Sequence, residues 1–241
     1  MKKVNLMDYL DEVTAFSLEH EEPAWMTELR TTALRNADES ELPHIDRVKF
    51  HRWPLLNVHM ESYVPSEGNI ASFDQMKDNP LIVQQGSFHA FEQLPASLAE
   101  QGVIFTDIFT ALQEHPELVK EYYMTKAVLP EEDKLTAAHA AFMNSGVFLY
   151  VPKNVVIEEP IESLFIQDSD SNQPFFKHVL IVADNHSEFS YLERFQSTGH
   201  HAEKASGNIV VEVIAKDGAK VKYSAVDQLG QTVTTYMNRR G

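Results

Sequence analysis

The chain has 241 residues, 43% hydrophobic and 23% charged, a globular composition that excludes collagen-like, low-complexity and wholly disordered classes. Twenty Lys and Arg against 36 Asp and Glu leave a formal charge of −16, which repels phosphate backbones and anionic lipid and argues against nucleic-acid binding. Cysteine is absent, so this chain offers no disulfide, no thiolate nucleophile and no cysteine-ligated zinc or iron–sulfur centre.

In chain order, Met1-Lys2-Lys3-Val4-Asn5 begins basic but meets Asp8, Asp11 and Glu12 before any apolar run, unlike a signal peptide. The longest apolar runs, such as Val147 to Val151 and Val179 to Ala183, are far below the roughly 18 residues that span a bilayer. The expectation is a cytoplasmic protein with no membrane contact. Leu6, Leu10 and Val13 recur at helical spacing, and Pro23 followed by Trp25, Leu29 and Ala33 predicts a second helix with proline in its first turn. A turn-rich stretch with Pro54, Pro65 and Gly68 follows. Leu81 to Val83, a mixed region through Leu94 and Leu98, and Gly102 to Phe105 then suggest a strand, helix, strand unit. A helix is predicted from Thr106 through Leu112, resuming after Pro116 with Leu118 and Tyr122, and another from Leu135 through Phe142.

The pattern changes at Gly146. Residues 1–145 carry 11 basic and 24 acidic groups, whereas residues 146–241 carry 9 and 12. Two domains are expected at that break, a mainly helical one with a small mixed part (1–145) and an all-β one (146–241). Ile181 to Tyr191 aligns without gaps on Val213 to Tyr223 at an offset of 32, each segment reading strand, Asp-led turn, strand. Val151-Pro152-Lys153-Asn154-Val155 echoes the turn 31 residues earlier, with Pro160 spoiling the strand match that follows. A strand–turn–strand repeat that cannot bury its own faces implies stacking, with Asp184-Asn185 and Asp217-Gly218 at equivalent corners. Alternation places Ala219, Val221, Tyr223 and Ala225 inward, and Lys220, Lys222 and Ser224 outward.

Chemistry is sparse. No nucleotide-binding glycine loop, nucleophile elbow or His-Glu-x-x-His motif occurs. His200-His201 with His178 or His186 offers imidazoles for a divalent metal, but neighbours on a strand face opposite ways, and a solvated loop pair is the preferred reading. His186-Ser187-Glu188 lacks the cysteines of a zinc deaminase. Glu158-Glu159 and Glu131-Glu132-Asp133 read as solvated acidic faces sooner than paired catalytic carboxylates. Arg239-Arg240 and Arg52-Trp53 are two-residue signals with little specificity. No catalytic, cofactor-binding or metal-ligating residue is therefore assigned, and a scaffold is favoured over a histidine-metal enzyme of the β-helix or cupin type.

The run from Asp133 to Val155, densest at Asn144-Ser145-Gly146-Val147-Phe148-Leu149-Tyr150-Val151-Pro152-Lys153-Asn154-Val155, resembles the SufB/SufD family of iron–sulfur cluster assembly proteins. The likeness continues through His178 to Ala183, Tyr191 to Glu193, Tyr223 to Asp227 and Thr235 to Gly241. Upstream it includes Pro23 to Met26, Lys49 to Trp53 and Gly102 to Asp107. The short lead and the Met237 to Gly241 run are nearer the SufD branch, with a SufB-type paralogue as the alternative. The resemblance implies an α+β chain: a helical N-terminal domain, then a right-handed parallel β-helix, a single-stranded solenoid incomplete at its C-terminal end. It further implies a non-catalytic scaffold working with a SufB-type subunit and a SufC-type ATPase. The cofactor would be an iron–sulfur cluster at the level of the complete complex, with a flavin left open, and none on this chain. Family members continue past this point, so a truncated chain is expected, with cluster-contacting residues beyond Gly241 and self-association through an uncapped Thr232 to Met237 edge.

Overall fold

A computed structural model describes residues 5–58, 60, 79–168, 173–198 and 204–241. Helices α1 (Leu10–Glu19) and α2 (Ala24–Glu39) pack against each other in a helical layer with α4 (Ile108–Glu114), α5 (Pro116–Tyr122) and α6 (Lys134–Phe142), and a single turn, α3 (Ala96–Ala99), lies apart from them. Pro23 takes the N-cap position of α2 and so lies one residue before the helix, not in its first turn as the pattern suggested. Asp133 caps α6 through a reciprocal box with Thr136, and Asp107 caps α4.

Among the described residues, ten strands make two five-stranded sheets. One has the order β2 (Phe88–Gln93), β1 (Leu81–Gln85), β5 (Ile161–Asp168), β7 (Glu188–Thr198), β9 (Lys220–Gln228). The other has the order β10 (Val233–Arg240), β8 (Ala205–Ala215), β6 (Phe175–Ala183), β4 (Ser145–Val151), β3 (Ile104–Asp107). From β4 onward consecutive strands alternate between the sheets, and each pairs in parallel with the strand two places later. The strand, helix, strand unit expected over 81–105 is corrected. Residues 88–93 return as an antiparallel partner of β1, and β1 and β3 lie in different sheets. Thr106, expected to open a helix, lies within β3 instead, and α4 starts two residues later, where the Asp107 carboxylate can accept its first amides.

The 32-residue offset is the parallel register itself: Ser145 lies opposite Lys177, Phe175 opposite Gly207, and Glu188 opposite Lys220. The corners stack accordingly, His186 N–H donating to Asp217 O at 3.0 Å and Asn154 N–H to Asn185 O at 3.0 Å. Asn154, His186 and Gly218, 32 residues apart in turn, all hold positive φ (63°, 59° and 70°), so the first corner repeats at 32 and not at 31. Val156 bridges Glu188, yet Ile161 pairs with Tyr191, so two extra residues are accommodated around Glu158-Glu159-Pro160. Proline, having no N–H to donate, suits that unpaired stretch.

Two main apolar cores result. One fills the space between the sheets with Val147, Leu149, Val151, Phe165, Val179, Ile181, Tyr191, Phe195, Ile209 and Val211. The other joins the helices to the outer face of the second sheet through Phe148, Phe176, Leu180, Val182 and Val210. Helix α6 is buried all round between α2 and that sheet, which explains its unbroken run of small and apolar residues. No helix among the described residues is long and apolar enough to cross a membrane.

Candidate functional site

Two buried polar networks lie on opposite faces of the same sheet. The first sits under the helices. Asn208 on β8 donates from Nδ2 to Leu135 O (2.8 Å), which turns its Oδ1 toward His139 Nδ1 at 3.1 Å. His139 Nε2 meets His178 Nδ1 at 3.0 Å, and His178 Nε2 meets Glu212 Oε2 at 3.1 Å. Glu212 also accepts the backbone amides of Met124 (2.8 Å) and Val128 (3.0 Å), fixing the segment that follows α5. Every one of these four side chains is essentially excluded from solvent.

The row holds three contacts, running from an amide oxygen through two imidazoles to a carboxyl group, and each contact takes one proton. The Tyr123 ring lies 4.3 Å from that of His178. Burial, with the neighbouring His178 second, holds the pKa of His139 well below the usual histidine range, so His139 stays neutral.

The second network lies between the sheets, where strand parity puts Lys177 among Val179 and Ile181, and Glu193 between Tyr191 and Phe195. Lys177 Nζ donates to Gln84 Oε1 (2.8 Å), Ser145 Oγ (2.9 Å) and Gly86 O (3.2 Å), and lies 4.6 Å from the Phe165 ring centre. Burial lowers its pKa to about 7, opposed by the Glu193 carboxylate. Glu193 Oε1 accepts from Tyr223 Oη (2.8 Å) and Arg239 (3.0 Å), and Arg239 reaches Asp227 at 3.0 Å. Burial raises the Glu193 pKa, with Arg239 and then Tyr223 pulling it back. This network opens at one end into a mouth of about 270 Å³ lined by Val211, Val213, Val221, Tyr223, Arg239 and Arg240.

The residues singled out from sequence are dispersed. His178 faces the helices while His186 occupies a corner against Gly218, and His200-His201 lie outside the described residues. Arg239 turns inward to Glu193 and Arg240 outward to Glu132, so they do not form one anion clamp. Asp133 is spent as a cap, Glu132 on Arg240 and the Leu129 amide. Trp53 packs edge-on against Phe50, which in turn meets Tyr236 of β10 and shields one face of the predicted edge. Neither network places a nucleophile and its base before a cavity; both join layers. Lys177 and Glu193 were missed although their parity within apolar strands would have found them.

The profile for the SufBD protein N-terminal region matches residues 3–162, and that for the SUF system FeS cluster assembly SufBD core domain matches residues 165–241. The chain is 42% identical over 237 residues to the iron–sulfur cluster assembly protein SufD of Bacillus subtilis, covering 94% of this chain and 54% of that protein. It is 29% identical over 247 residues to a SufBD family protein of Staphylococcus epidermidis, covering 95% and 52%. A SufBD family protein of Staphylococcus haemolyticus is 29% identical over 239 residues, covering 91% and 50%. The chain thus spans about half the length of the curated relatives it matches.

Proposed function

The chain belongs to the SufB/SufD family of iron–sulfur cluster assembly proteins, and from that premise we propose that it acts as a SufD-type, non-catalytic scaffold subunit of a SUF assembly complex. The observation that carries this is the 42% identity to a SufD, sustained across nearly the whole chain. The buried networks support it: their polar groups are occupied in joining helices, corners and strands, as a scaffold requires. On this reading the alternating parallel strands are the first coils of a right-handed parallel β-helix, carried by a helical domain over residues 1–145 and continued over 146–241. The partners are a SufB-type subunit and a SufC-type ATPase. The iron–sulfur cluster, with or without a flavin, belongs to the complex in the cytoplasm and not to this cysteine-free chain. Among the described residues β9 and β10 are the outermost strands at one end of their sheets, and their outer edges would pair with further strands of the assembly, or with a second copy when nothing else covers them.

Co-expression with SufB-type and SufC-type proteins of one genome, the tag on this chain, tests the proposal. All three should elute together in size-exclusion chromatography. Elution of the chain alone, with the other two forming a complete complex without it, overturns the reading.

A further inference from the structure

Strands β2 and β3 are the outermost strands of different sheets at the same end of the molecule, and they bring three metal-ligating side chains together. His89 and Glu92 lie three apart on β2, a spacing that places side chains on opposite faces of a regular strand. A bulge intervenes: Val83 pairs with Phe91 but Gln84 pairs with His89, leaving Ala90 as an extra residue. The extra residue restores common parity, so His89 Nε2 comes to 3.4 Å from Glu92 Oε2. Asp107, from the end of β3, completes the group, and one donor atom from each residue lies within 4.8 Å of the others.

Two features separate this group from a surface ion pair. Among the described residues no Lys or Arg pairs with either carboxylate, so the two carboxyl groups share one small volume with an imidazole and with no other basic side chain. The carboxylates are also oriented: Thr106 Oγ1 donates to Glu92 Oε2 at 3.0 Å, and the Phe109 and Thr110 amides hold Asp107 Oδ1 at 2.9 and 3.2 Å. A gap of 3.4 Å is long for a hydrogen bond, but two ligands about 2.0 Å from one tetrahedral cation stand roughly 3.3 Å apart.

We propose that His89, Glu92 and Asp107 form a binding site for a first-row divalent transition cation, which clips the outer edges of the two sheets together. One imidazole nitrogen and two carboxylate oxygens suit zinc, manganese or ferrous iron better than calcium or magnesium, which favour all-oxygen shells. The site leaves positions open to water. It stands independently of the assembly function above, since partner capture and cation binding are measured separately.

The test titrates the chelator-stripped full chain with Zn²⁺ in equilibrium dialysis and with Co²⁺ by visible absorption. A His200→Ala/His201→Ala background removes the imidazole pair that is consecutive in sequence. One equivalent should bind, with cobalt bands in the visible. His89→Ala and Glu92→Gln should each weaken binding at least about tenfold, while His44→Ala leaves it unchanged. His89 and Glu92 are partly exposed, so both variants should fold, as circular dichroism verifies. Absence of stoichiometric uptake, or uptake equal in the parent, His89→Ala and Glu92→Gln, overturns the site.

Discussion

A Cβ placed on Gly218 would stand 2.2 Å from Nδ1 of His186, the residue one 32-residue repeat before it. Both residues hold left-handed backbone angles, with φ of 70° and 59°. Glycine takes such an angle freely, whereas a side chain there is strained and, at Gly218, also strikes the imidazole. Gly218→Ala should therefore destabilise the chain by about 1–3 kcal/mol in urea unfolding. Adding His186→Gly should recover part of that loss by removing both the clashing ring and its backbone strain. A Gly218→Ala protein as stable as the parent would contradict the stacked-corner geometry.

His139 supplies a pH test. Its pKa is depressed in the folded protein, so in the unfolded chain it takes up a proton near 6.5 that the folded chain refuses. Stability from this group is present above pH 6.5 and declines as pH falls below it. Between pH 7 and 5 the unfolding free energy should fall more steeply in the parent than in His139→Gln. Parallel slopes would show that the buried row does not hold His139 neutral.

Lys177 gives the opposite window. Its folded pKa of about 7 lies below the unfolded value of 10.5, so above pH 7 the unfolded chain binds the additional proton and stability rises with pH. Urea midpoints measured at pH 7 and pH 9 should increase in the parent and change less in Lys177→Met. A midpoint that does not rise over this interval, or a rise unaffected by the substitution, contradicts the assignment.

Much of this architecture can be read from sequence where one physical rule governs it. Parallel pairing imposes a constant register, so Ile181 to Tyr191 and Val213 to Tyr223 announce their adjacency by alignment alone. Pro160 marks the place where that register slips. The helices follow from apolar spacing and, at α6, from the Asp133 cap. The hairpin at Phe88 does not, because His89-Ala90-Phe91-Glu92 lacks alternation once the bulge is inserted, and pattern reading then favours a helix. The Asn208–His139–His178–Glu212 row was hidden for a different reason. Its members come from three elements up to 73 residues apart, and only the packing of α6 on the sheet brings them into line.

The scaffold reading is tested most directly by anaerobic reconstitution with ferrous iron and sulfide, followed by visible absorption, on this chain alone and on its complex with SufB-type and SufC-type partners. Imidazoles and carboxylates without a thiolate are a poor set of ligands for a cluster. The account predicts no cluster absorption for the isolated chain and a stable chromophore for the complex. A stable brown holoprotein formed by the chain alone would contradict it.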